Sequence, residues 1–190
     1  MAKAAVMETT NETALRRPVH FGERFAIGRA SVEVAAPAIR VSLRAPEASV
    51  AALNKALGFA LPQKPKTSTA KNDVHVLWIG PDEWFIIAPE NSDLLAKFAK
   101  VTAFHSPVDV SHRNAALIVS GAGAADVLNS GCPQDLSLKA FPVGACSRTI
   151  MGKTEVILYR MAVDQFRVEV WRSFATYALD FIEDVIRRDV

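Results

Sequence analysis

The chain has 190 residues, 50% hydrophobic and 22% charged, a globular balance that excludes disorder over most of its length. Its formal charge of +2 is spread over scattered Lys and Arg residues, which leaves no footprint for nucleic acid. Cys132 and Cys146 are the only cysteines and have no Cys or His at metal spacing, so a disulfide framework and a zinc site are excluded and buried, reduced thiols are expected.

Residues 1–18 are polar and aperiodic, and an irregular amino-terminal arm is expected over 1–30. The opening MAKAAVMETTNETALRR has no continuous apolar core and does not read as a signal peptide; no apolar run reaches bilayer length. A cytoplasmic protein without membrane contact is the expectation. Alternation at Ile39, Val41 and Leu43 predicts a strand. Pro46 suits a first helical position, Glu47 complements the helix dipole, and Ala51, Leu53, Ala56 and Leu57 form the apolar face of a helix that stops at Gly58. Residues 61–72, with two prolines among Lys, Ser and Thr, read as an exposed loop.

Residues 75–89, HVLWIGPDEWFIIAP, form the stretch around which the chain is organised: two strand-like apolar runs folded about Gly80, Pro81, Asp82 and Glu83. A buried hairpin follows. Ser92 is placed to cap a helix carrying Leu94, Leu95, Phe98 and Val101 on one side. Short strands are expected at 107–111 and 115–120, then a helix with Val127 and Leu128 inside, ending near Gly131. Strands at 145–151, 155–161 and 165–171 lead to a last helix from Ser173, whose stripe is Phe174, Tyr177, Ala178, Phe181, Ile182, Val185 and Ile186. The second strand-turn-strand unit, 156–171, echoes the first. The expected fold is therefore α+β, with two pseudo-repeated β-α-β-β-α halves (31–104 and 105–190) in one compact unit and mixed or antiparallel sheets with helices on one face.

Reactive signals are weak. The turn SGAGAAD at 120–126 joins a strand to a helix but matches neither the Walker pattern nor the full Gly-x-Gly-x-x-Gly, so a tight turn is preferred to a phosphate loop. Asp109, Ser111 and His112 supply the residue types of a triad without a nucleophile elbow, and neighbours on a strand point to opposite faces. His20, His75, His105 and His112 include no i, i+4 metal pair. Asp109, Arg113, Asp126 and Arg148 lie near strand ends, where a cleft and surface salt bridges are the two alternatives. Trp78 and Trp84 read as core anchors, whereas Trp171, beside Arg172 at a strand end, serves equally as core or interface. The candidate cleft or interface residues are Asp109, His112, Arg113, Arg148 and Trp171; no catalytic, cofactor-binding or metal residue is assigned.

Five stretches together carry a resemblance: LWIGPDEWFIIAP (77–89), VDVSHR (108–113), SGAGAADVLNSGCPQDL (120–136), AFPVGACSRTIMG (140–152) and DQFRVEVWRSFATYALDF (164–181). With these the chain resembles the gamma-subunit family of bacterial heterotetrameric sarcosine oxidases. The resemblance implies a fold similar to the folate-binding domain of glycine-cleavage aminomethyltransferases. It also implies alpha, beta and delta subunits as partners, chiefly alpha, in a complex that oxidatively demethylates sarcosine to glycine. The other products are hydrogen peroxide and formaldehyde, or methylenetetrahydrofolate. FAD, FMN, NAD and tetrahydrofolate are then expected on other subunits, and this chain is a non-catalytic structural subunit of the oxidoreductase. Aminomethyltransferases hold the pterin with an acidic residue that is not placed on this sequence; a folate-like binding module, with its cleft near Asp109 and Arg113, is the alternative.

Overall fold

The centre of the first sheet is the hairpin of β5 (Val74–Gly80) and β6 (Glu83–Pro89), closed by Pro81 and Asp82. This computed structural model describes residues 25–188. The expectation for residues 1–18 lies outside them, and the expected irregular arm is corrected at its end, because β1 (Phe25–Ile27) pairs with β2 (Ala30–Val34). The other strands are β3 (Ala38–Arg44), β4 (Ser68–Lys71), β7 (Ser106–Asp109), β8 (Asn114–Ser120), β9 (Cys146–Met151), β10 (Thr154–Ala162) and β11 (Gln165–Trp171). The helices are α1 (Val50–Leu57), α2 (Leu94–Ala99), α3 (Ala124–Asn129) and α4 (Ala175–Arg188).

Two sheets result, one ordered β4-β5-β6-β3-β7 and the other β1-β2-β8-β11-β10-β9. Every pairing is antiparallel, so the α+β expectation resolves to antiparallel sheets. The sheets exchange strands across the expected boundary at 104/105: β7 joins the first sheet through β3, and β2 joins the second through β8.

Strand alternation explains how the sheets pack, since successive side chains leave a strand on opposite faces. Trp84, Ile86 and Ala88 of β6 share a core with Leu53 of α1 and Leu94 and Phe98 of α2. The intervening Phe85 and Ile87 join Cys146, Ile157 and Tyr159 of the second sheet. On β10, Val156 and Leu158 pack in the cluster that holds Val127 and Leu128 of α3 and Ala178 and Ile182 of α4. The order is therefore helices, sheet, sheet, helices. Each sheet carries its helices on one face, as expected, and buries the other against its neighbour.

Several local expectations shift. The span 61–72 contains a strand, β4, because Asn72 and Asp73 adopt φ of 50° and 61° and turn the chain straight into β5. Positive φ at both central residues marks the hairpin turn whose twist matches that of the flanking strands. In α1, Ala51 is exposed and Val50 is buried beside Leu53, since a single 3-10 turn at Glu47–Ser49 precedes the helix and rotates its face. Gly58 caps α1 in the left-handed conformation, φ 79°, as expected of a helix stop. The cap of α2 is Asp93 rather than Ser92, and Asp93 pairs with Lys97 at 2.8 Å. In α4 the buried stripe is Ala175, Ala178, Leu179, Ile182 and Ile186, so Leu179 replaces the exposed Phe174 and Tyr177. A 3-10 turn at Arg172–Phe174 delays the helix and moves its apolar face round.

Candidate functional site

The face between the sheets is where this molecule departs from an apolar core. Glu169 lies on β11 between buried Val168 and Val170, and alternation turns its carboxylate away from the helices and into the space between the sheets. Its side chain is 0% exposed. Arg40 of β3 donates from Nε to Glu169 Oε2 at 2.6 Å, and Arg167 donates from Nε to Oε1 at 2.8 Å. Arg40 also donates to the Ala38 carbonyl at 3.1 Å. Strand register puts Arg167 opposite Tyr159 and Glu169 opposite Ile157, so the charged column abuts the apolar column of the same interface.

A second clamp closes the edge. Glu83, at the start of β6, receives Arg148 of β9 in a two-pronged grip, Nη2 to Oε1 at 2.7 Å and Nη1 to Oε2 at 3.3 Å. Arg44, its cross-strand neighbour, donates to Oε2 at 3.1 Å. Burial pushes the Glu83 carboxyl upward, but the hydrogen bonds and charges of Arg148 and Arg44 together outweigh it and hold the group below the usual carboxylate value. Bidentate guanidinium–carboxylate geometry fixes both partners in orientation as well as in charge.

Between the two clamps opens a small cleft of about 20 Å³, with Ser42, Phe85, Asn114, Arg148, Glu169 and Trp171 on its walls and Arg113, Ile79 and Glu155 also lining it. The cleft gathers three of the five candidate residues, Arg113, Arg148 and Trp171. It does not gather Asp109 or His112. Asp109 instead accepts the Ser111 amide at 2.8 Å, closing a local turn, and His112 is exposed. Arg113 stacks over the Trp171 ring at 5.6 Å and donates to Asn114 Oδ1 at 3.2 Å. Trp171 is 44% exposed, while Trp84 is buried and donates its indole N–H to the Pro62 carbonyl at 2.7 Å. Asp126 meets Arg29 at 3.9 Å with both side chains well exposed, a surface contact of the kind that contributes about 0–1 kcal/mol.

Two sequence alternatives are resolved by hydrogen bonding. Ser111 Oγ accepts the Arg40 amide at 2.8 Å, so the hydroxyl is spent on joining the strands instead of on His112. In the glycine-rich turn, the Gly121 amide donates to the Asp164 carbonyl at 2.9 Å and the Gly123 amide to the Arg29 carbonyl at 3.0 Å. Those N–H groups serve the fold, not a phosphate. No group of three His, Cys, Asp or Glu among the described residues is arranged to hold a metal. Nor is any helix among them long and apolar enough to cross a membrane.

Sequence reasoning missed Arg40, Glu83 and Glu169 as interior charges. The signal was there for two of them: Arg40 sits between Ile39 and Val41, and Glu169 between Val168 and Val170, as polar positions in alternating strands. Alternation alone reads those positions as facing water. Only a second sheet over that face makes them interior.

The geometry can be set beside known proteins. Residues 42–187 match the model of the sarcosine oxidase, gamma subunit family. The sarcosine oxidase gamma subunit of Arthrobacter sp. is 32% identical over 197 aligned residues, covering 98% of this chain and 96% of that one. The gamma subunit of Corynebacterium sp. strain P-1 is 31% identical with the same coverage of 98% and 96%. Among solved structures, one chain of the heterotetrameric sarcosine oxidase from Corynebacterium sp. U-96 in complex with pyrrole 2-carboxylate superposes with a TM-score of 0.81. It is 28% identical, over 87% of this chain and 88% of that one. Aminomethyltransferase T of the glycine cleavage system from Bartonella henselae shares the fold at TM-score 0.58 and 13% identity, over 81% of this chain and 45% of that one. Matched from its third strand to its last helix by the family model, and nearly end to end by two gamma subunits, this chain belongs to the sarcosine oxidase gamma subunit family.

Proposed function

We propose that this chain is a non-catalytic structural and assembly subunit of a heterotetrameric sarcosine oxidase, associating with alpha, beta and delta subunits, chiefly alpha, in the cytoplasm. The observation that carries this reading is the match over 98% of the chain to gamma subunits. The internal chemistry supports it. Arg40 reaches Glu169 and Arg148 reaches Glu83 from the opposite sheet, while Arg167 braces Glu169 from its own strand. On this reading FAD, FMN, NAD and tetrahydrofolate reside on the other subunits, which oxidise sarcosine to glycine and handle its methyl carbon. The folate-module alternative is not favoured, because a cleft of about 20 Å³ suits a water molecule or two. Small-molecule sites span roughly 300–1,000 Å³.

Co-expression of the alpha, beta and delta subunits with and without this chain tests the proposal. A loss of stable, flavin-loaded enzyme when the chain is omitted is expected; an equally stable and active three-subunit enzyme would refute it.

A further inference from the structure

Around Glu169 the charges between the sheets do not cancel. Arg40 and Arg167 share its one carboxylate, two cations against one anion, and Arg167 Nη2 is buried with no hydrogen-bond partner among the described residues. The same layer holds a titratable ring. His75 of β5, half-buried, turns Nδ1 to the Tyr159 hydroxyl of β10 at 3.1 Å, with the two rings edge to face at 5.5 Å. This bond runs from one sheet to the other. Tyr159 stands in register between Cys146 of β9 and Arg167 of β11, so the histidine, the thiol and the unbalanced arginine meet in one row.

The neighbours of His75 decide what a proton there would meet. In its own sheet it pairs with Ala70 of β4 and Ile87 of β6, and neither titrates. Arg40 lies next beyond Ile87, and Lys71 is tied to the Gly58 carbonyl at 3.0 Å. From the other sheet come Tyr159, Cys146 and Arg167 and, beyond them, Glu169, both of whose oxygens are already taken. Asp73, exposed in the β4–β5 turn, is the nearest opposing anion and is set in water. The Tyr159 bond survives protonation by reversing its direction, because a hydroxyl both donates and accepts. The charge has no such outlet: three cations would face one interior carboxylate where the dielectric is low. Burial and then Arg167 accordingly hold the His75 ring below its ordinary 6.5, against the weaker pull of Asp73.

This layer is also separable from the rest of the core. Leu77, Phe85, Ile87, Cys146, Ile157 and Tyr159 pack in a cluster distinct from the two that join each sheet to its helices. Each sheet with its helices is thus a two-layer unit, and units of this size separate at free energies below that of global unfolding. We infer that His75 is an acid-sensitive latch, whose protonation parts the two sheets along this layer while each sheet keeps its helices.

The two cysteines report parting and global unfolding separately. Cys146 is fully buried in the layer, its Sγ donating to the Thr67 and Trp78 carbonyls at 3.2 and 3.4 Å, whereas Cys132 is buried on the helix side of the second sheet. Labelling of each thiol of the full chain by dithiodipyridine, located by mass spectrometry, is measured at about pH 7.5 and about pH 5.5. Each rate is divided by that of the same thiol in the urea-unfolded chain at the same pH. A parted layer in which the ring titrates at its ordinary 6.5 gains about tenfold one pH unit below that value. Cys146 of the wild type is therefore expected to gain roughly five- to tenfold on acidification and Cys132 nothing. In His75→Gln the gain at Cys146 is expected to vanish, and in Arg167→Gln, which removes the facing charge and keeps the ring, to shrink. Circular dichroism at both pH values establishes that the variants are folded; if His75→Gln is not, Arg167→Gln carries the comparison. Cys146 and Cys132 gaining together would show global unfolding and overturn the latch. A wild-type Cys146 unmoved by acid, or a gain as large in the folded variants as in the wild type, would overturn it as well.

Discussion

Removing the carboxylate of Glu169 is the sharpest probe of how the two sheets are joined. In Glu169→Ala the 2.6 Å bond from Arg40 and the 2.8 Å bond from Arg167 disappear together. The guanidinium groups, with side chains only 5% and 11% exposed, stay between the sheets without a carboxylate to balance them, Arg40 keeping only its bond to the Ala38 carbonyl. Removing one partner of a buried ion pair costs about 3–5 kcal/mol, because the remaining charge is left desolvated and uncompensated. Against a typical domain stability of about 5–15 kcal/mol, that is a large share of the total. At about 2–4 °C per kcal/mol for a chain of this size, the melting temperature should drop by roughly 6–20 °C. Urea unfolding followed by tryptophan fluorescence measures the loss as a lower midpoint at an unchanged slope. The companion variant Arg40→Met, Glu169→Leu, Arg167→Met removes the charges together. It should recover most of the loss, since a well-packed apolar replacement of a buried ion network is often neutral or stabilising. A loss below about 1 kcal/mol in Glu169→Ala, or a triple variant weaker than the single one, would refute the view that this network costs most when half removed.

Other consequences are separately measurable. Trp84→Phe should lose about 1–3 kcal/mol in urea unfolding, because the buried indole N–H that satisfies the Pro62 carbonyl is gone. Gly121→Ala should destabilise by more than about 1 kcal/mol on the same assay, since φ there is +111° and a Cβ would sit 2.3 Å from the Arg29 carbonyl oxygen. Burial and then the charge of Arg167, against the opposing pull of Asp73, lower the pKa of His75 below its ordinary 6.5. The unfolded chain therefore binds more protons there, and the contribution is complete above about pH 6.5 and lost as pH falls toward the lowered value. Wild type should lose more stability than His75→Gln between pH 7.5 and 5.5, and equal losses would contradict this. Burial pushes the Cys146 thiol up to about 12, so it should resist thiol reagents in the native protein at neutral pH and react on unfolding.

The amino-acid sequence by itself determined the local elements and the family. Proline and aspartate between β-branched and aromatic runs specified the β5–β6 hairpin, and alternation specified β10 and β11, because turn chemistry and side-chain period are properties of a few neighbouring residues. Gly58 marked the end of α1 for the same local reason. The tertiary structure alone decided what the alternate faces of those strands are for. Arg40 and Glu169 lie 129 residues apart, and no short-range pattern tells a solvated charge from one that meets its partner under another sheet. The exchange of β2 and β7 between sheets and the rotation of the α4 stripe toward Leu179 have the same origin. Pairing partners and packing angles are set by long-range burial, which overrides local preference wherever the apolar area gained is larger.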